Sequence, residues 1–125
     1  MIVFDASAWV DVLCGVVAPP PSEESVTVPP HFDAEVLGAL RTLGQRQVLT
    51  EEQAERAVDQ HLGAGFTIER DDDDMRQAWR WRSSMSLPDA WYAALARRHG
   101  APWVTTDRRA ATTARRFGVQ VTELD

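Results

Sequence analysis

Two short apolar runs, each ending in an aspartate and each leading into a helix-compatible stretch, do most to limit what this chain of 125 residues folds into. The first is MIVFD at 1–5, followed by ASAWVDVLC and Gly15; the second is PWVTT at 102–106, followed by Asp107 and a stretch that Gly118 breaks after about Phe117. A short strand, a helix and a glycine stop form the repeating unit of an α/β sheet. Between the two runs, SVTV at 25–28 and FTIE at 66–69 read as further strands, and VQVTEL at 119–124 reads as a last one. The Pro-rich APPPSEES at 18–25 reads as a loop.

Helices fill the remaining intervals. Phe32, Val36, Leu40 and Leu43 recur at spacings of three and four and mark one buried face. Thr50 and Gln53 have capping-box spacing ahead of the stripe Ala54, Ala57, Val58 and Leu62, which Gly63 and Gly65 close. Asp71 to Asp74 lead a helix bearing Met75, Ala78 and Trp79, where negative charge favours the N-terminus. Another helix runs from Pro88 to about His99, with Ser86 as its N-cap and Gly100 as its stop. The expectation is a single α/β domain over 1–125, a mainly parallel sheet between helical layers, with its functional end at the strands' C-terminal edge.

Composition removes several alternatives. At 44% hydrophobic and 26% charged the chain has the make-up of a globular domain. No apolar run reaches the roughly 18 to 20 residues that cross a bilayer, and no basic segment precedes an apolar stretch at the start, so a cytoplasmic protein without membrane contact is expected. The lone Cys14 and three scattered histidines offer neither an internal disulfide nor a zinc-ligand spacing. Lysine is absent, which excludes Schiff-base and P-loop chemistry.

The net charge of −6 argues against nucleic acid until it is divided along the chain. Residues 1–75 hold four Arg and fifteen acids, whereas residues 76–116 hold nine Arg and only two acids, Asp89 and Asp107. The second stretch, at +7, is a credible anion-binding surface.

Asp5 and Asp107 end strands, while Glu35 and Asp89 fall in or near the first turns of helices, so all four can face one edge of the sheet. A pair of carboxylates about 4 Å apart repels by about 4 kcal/mol at an effective dielectric near 20, and a helix N-terminus returns only about 0.3 to 1 kcal/mol. Either some of these groups are protonated or a divalent cation sits among them, and an all-oxygen set suits Mg²⁺ or Mn²⁺. Taken singly, Asp107 reads equally well as a helix cap, Asp89 as the acid of a capping box and Glu35 as a solvated first-turn residue.

Together, DASAW at 5–9, AEVLGALR around Glu35, LPDAWYAALAR around Asp89 and VTTD ending at Asp107 resemble, in order and over nearly the whole chain, the four acidic motifs of the PIN-domain ribonucleases, and most of all the VapC-type toxins of toxin–antitoxin pairs. The resemblance implies a PIN-like three-layer α/β/α sandwich and a metal-dependent endoribonuclease. It further implies a homodimer held inactive by a small antitoxin whose C-terminal segment enters the acidic pocket. In that reading Asp5, Glu35, Asp89 and Asp107 are the catalytic and metal-binding residues, hydrolysing RNA phosphodiesters with Mg²⁺ or Mn²⁺. Ser7 and Thr106 support them by orienting Asp5 or a water; as bare sequence they read equally as capping hydroxyls. Two departures stand out: Gly38 occupies a position that is often Asn, and APPPSEES replaces a further helix. The shortened segment keeps open a second reading, a catalytically impaired PIN-fold module that binds RNA or protein.

Of the arginines, Arg108 and Arg109 beside Asp107 are the expected RNA contacts, with the others divided between a phosphate-tracking rim and solvated faces paired with the acidic half. Trp79 and Trp81 point about 200° apart on a helix, so one of them belongs at an interface or in solvent, and Trp9 is a candidate for the same surface. His31, His61 and His99 read as isolated structural or surface residues, and Asp71 to Asp74 as a solvated helix start.

Overall fold

The computed structural model describes residues 1–124. Its elements in chain order are β1 (Val3–Phe4), α1 (Ala6–Leu13), β2 (Thr27–Val28), α2 (Phe32–Gln45), α3 (Glu51–Leu62), β3 (Thr67–Ile68), α4 (Asp72–Arg80), α5 (Leu87–His99), β4 (Trp103–Thr105), α6 (Arg108–Arg116) and β5 (Val121–Glu123). The helix starts expected from sequence are built as anticipated. Asp5, Asp107 and Ser86 accept from the amides of Ala8, Ala110 and Asp89, and Thr50 and Gln53 close a full capping box. Gly15 and Gly100 stop α1 and α5 with φ of 76° and 63°, a left-handed conformation that an L side chain resists.

The strands β1, β4 and β5 pair in that order and β2 pairs with β3, all parallel. A parallel bridge between Ile2 and Val26 joins the two sets, giving a sheet ordered β3-β2-β1-β4-β5. From β1 the chain moves one way through β2 to β3 and then returns past β1 to β4 and β5. Right-handed crossovers place α1, α2 and α3 on one face and α4, α5 and α6 on the other, and the helix contacts divide along the same line. The reversal lies between β1 and β4, and the crevice outside the carboxyl ends of those two strands is where an open α/β sheet binds its ligand. Asp5 and Asp107 follow those two strands.

The core between the layers is anchored by Trp103, Tyr92, Phe32 and Leu95, all nearly inaccessible to solvent. Each contributes about 1.5 to 3 kcal/mol of burial. Tyr92 stacks on Trp103 with ring planes 10° apart. Among the described residues no helix is long and apolar enough to cross a membrane.

Two expectations about side chains change. Trp9 is not on a surface: it is 4% exposed, meets Phe66 edge-on and donates its indole N–H to His61 Nδ1 at 3.0 Å. Its face of α1 is covered by α3 and the segment after it, so His61, whose Nε2 sits 2.8 Å from Asp33 Oδ1, is a buried link among the three helices of that face. Nor is Asp71 to Asp74 uniformly solvated. Asp71 caps α4, while Asp74 is 1% exposed and receives two charge-assisted bonds from Arg98, at 2.7 and 2.9 Å. Of the tryptophan pair, Trp81 is buried against Phe117 and Trp79 is left 59% exposed.

Candidate active site

All four acids singled out in the sequence line one cavity of about 380 Å³, together with Ser7, Tyr92 and Thr106. Each reaches it by a different local device. Asp5 follows β1 and caps α1, so its carboxylate is held by Ala8 N–H at 3.0 Å and by the Ser7 hydroxyl at 2.7 Å. Glu35 lies in the first turn of α2 and Asp89 in the first turn of α5. Asp107 follows β4, its own amide bonded to the Thr105 hydroxyl and its carboxylate to Ala110 N–H. The sheet supplies one pair of acids and the helix starts supply the other.

Burial raises the Asp5 carboxyl, against the pull of bonds from Thr105, Ala8 and Ser7 and with a further push from Glu35. Asp89 is pushed up to about 6, first by desolvation and then by the charges of Asp107, Asp5 and Glu35, while Ser86 pulls it down. Three acids from three elements therefore act electrically on the fourth. Among the described residues no three metal-ligating side chains already converge to a coordinating group. An oxygen-only donor set in which like charges crowd one another fits a hard divalent cation.

The hydroxyl line is continuous: Thr106 Oγ1 lies 2.8 Å from Ser7 Oγ, which bonds Asp5. Two contributors escaped the sequence reading. Thr105 is fully buried, accepts from the amide of Asp107 and acts to lower the Asp5 carboxyl. Tyr92 donates its phenol to Glu35 Oε1 at 2.6 Å. Burial, Glu35 and Asp5 all raise the phenol, so it stays a donor throughout the physiological range. Its signal in the sequence was its place three residues after Asp89, which puts both on one face of α5. His31, read as isolated, has Nε2 3.6 Å from Glu35 Oε1 and packs edge-on against Tyr92. Burial lowers this histidine and Glu35 partly restores it.

The two arginines beside Asp107 part company. Arg109 lines a second cavity that shares Asp89 and Asp107 with the first, whereas Arg108 leaves the rim with Nε 3.9 Å from Glu123.

Comparison with known proteins agrees with this geometry. Residues 2–116 match the PIN domain. Ribonuclease VapC3 of Mycobacterium tuberculosis is 34% identical over 116 residues, covering 88% of this chain and 85% of that protein. The crystal structure of PAE2754 from Pyrobaculum aerophilum superposes with a TM-score of 0.70 at 23% identity, covering 90% of this chain and 84% of that one. The crystal structure of VapBC-5 from Mycobacterium tuberculosis, a member of the VapBC family of toxin–antitoxin systems, gives 0.62 at 21% identity over 98% of each chain. A parallel sheet that reverses between β1 and β4, four acids around the crevice so formed, and this likeness along the chain together make it a member of the PIN-domain family, among the VapC ribonucleases.

Proposed function

We propose that the protein is a metal-dependent endoribonuclease acting at Asp5, Glu35, Asp89 and Asp107, the toxin of a VapBC-type toxin–antitoxin pair. The observation that carries the reading is the single cavity into which four separate elements bring these carboxylates. Asp5 and Asp89 are the residues to hold Mg²⁺ or Mn²⁺, with Glu35 and Asp107 engaging it directly or through water. A divalent cation bound there supplies polarisation of the scissile phosphodiester and activation of the attacking water. Ser7 keeps the Asp5 carboxylate oriented through its 2.7 Å bond, and Thr106 orients Ser7 in turn. Tyr92 holds one oxygen of Glu35 and so limits how that carboxylate turns toward the cavity. Arg109 beside the acids neutralises backbone phosphate, which positions RNA without reading its sequence. A small antitoxin protein and a second copy of the chain complete the proposed set of partners.

The shortened segment before β2 does not weigh against turnover. It closes at the opposite end of the sheet, where Ile2 N bonds Ser25 O at 2.9 Å and Glu24 pairs with the chain's amino group at 2.7 Å. The acids lie at the C-terminal edge. Incubating the protein with structured RNA and Mn²⁺, beside an Asp5→Asn control, tests the proposal: cleavage by the wild type alone is expected. Equal cleavage by the control refutes the site, and salt-dependent RNA binding without cleavage by either refutes the enzyme in favour of a binding module.

A further inference from the structure

The cavity adjoining the acidic one measures about 330 Å³ and lies between the α4–α5 turn and α6, walled by Arg82, Ser84, Ser86, Arg109 and the two shared acids, Asp89 and Asp107. Three of the nearby arginines are engaged by acids. Arg98 is engaged by Asp74, Glu69 and Asp71, and Arg108 and Arg115 both lean on Glu123. Among the described residues neither Arg82 nor Arg109 has an ion-pair partner, although Asp89 and Asp107 line the same space.

Arg82 is also held in place. Its Nη1 donates to the Trp79 carbonyl at 2.9 Å, and its guanidinium lies 4.2 Å from the centre of the exposed Trp79 ring. A guanidinium so fixed still has free N–H donors and loses little freedom when it takes an anion. Serine hydroxyls at the wall add neutral donors.

We infer that this trough is a phosphate subsite, where Arg82 and Arg109 together grip the RNA phosphate next along the strand from the one presented to the four carboxylates. The inference rests on the proposed nuclease reading, and it adds Arg82, from the other side of the trough, to the single contact Arg109. RNA is favoured over an acidic peptide because the two cavities share a wall. A ligand filling both needs anionic groups at short, regular intervals, as a phosphodiester chain has.

The test is binding of a short, labelled single-stranded RNA to the intact protein in EDTA, over a range of salt, so that no cleavage intrudes. Arg82→Gln and Arg109→Gln are each expected to weaken binding about tenfold. Each is expected to lower the slope of log K against log salt by about 0.7, the value for one neutralised phosphate on a single strand. Arg56→Gln, which removes an exposed charge from α3, changes neither. Unchanged affinity and slope in the double variant, or an equal loss in Arg56→Gln, overturns the subsite. A double variant that keeps its RNA affinity but loses affinity for a polyglutamate peptide assigns the trough to a protein tail and also overturns it. Because no cation is needed, failure here is distinct from failure of Mn²⁺-dependent cleavage by the wild type.

Discussion

Replacing Asp89 by Asn is expected to stabilise the metal-free protein at neutral pH while abolishing its response to Mn²⁺. The Asp89 carboxyl is raised from an ordinary 3.8 to about 6, by desolvation first and by Asp107, Asp5 and Glu35 after it. A carboxyl raised on folding binds its proton more tightly in the native state than in the unfolded one. Its effect on stability is therefore absent well below 3.8, where both states are protonated, grows as the pH climbs from 3.8 to about 6, and is fully destabilising above that. The full shift corresponds to about 3 kcal/mol at 1.36 kcal/mol per unit. Asp89 is partly open to solvent, which screens the interaction, so ~1 to 2 kcal/mol is the realistic share at pH 7. Asparagine keeps the shape and the amide hydrogen bond to Ser86 without the charge. Thermal melts in EDTA between pH 4 and 8 measure it: wild type loses stability across pH 4 to 6, with Asp5 adding in the same direction, and Asp89→Asn follows a flatter curve that lies above it at pH 7. Adding Mn²⁺ raises the wild-type midpoint by mass action and leaves the variant unmoved. A variant less stable than wild type at pH 7, with a parallel pH curve, refutes the claim that the cluster is electrostatically crowded.

Tyr92→Phe removes only the phenol that bonds Glu35, so turnover is expected to fall about tenfold and the Mn²⁺ concentration for half-maximal rate to rise, with KM for RNA unchanged. Rates across a Mn²⁺ series check this, and an unshifted cation dependence refutes it. Arg98→Ala strands the buried Asp74 carboxylate and is expected to cost about 3 kcal/mol in urea unfolding, against less than about 0.5 for Arg97→Ala. Joint replacement, Arg98→Met with Asp74→Leu, is expected to recover most of that loss, because no uncompensated charge remains.

The helix starts show how far local sequence carries. Asp107, Ser86 and Thr50 each bond an amide three residues on, an interaction complete within one turn, so spacing alone located these caps. Asp5 is legible in the sequence only as the acid ending the first apolar run, and its capping bond to Ala8 emerges from the structure. The order of short apolar runs and helices likewise implied a parallel sheet. Trp9 marks the limit. Whether its indole faced solvent depended on His61, 52 positions away, and no periodicity in α1 carries that information.

The chain by itself determined which residues carry charge, where each helix begins and that four acids stand at strand ends and helix starts. Tertiary structure alone decided that these ends meet. Reversal of strand order between β1 and β4 opens the crevice, the two crossing layers bring α2 and α5 to its rim, and Tyr92 reaches Glu35 across 57 residues. It also sorted one block of like-charged arginines into Arg98, locked on buried Asp74, and Arg82 and Arg109, left facing the acids' neighbour cavity. A charge's value to a site depends on what surrounds it in space, and side chains far apart along the chain become neighbours only when the layers pack.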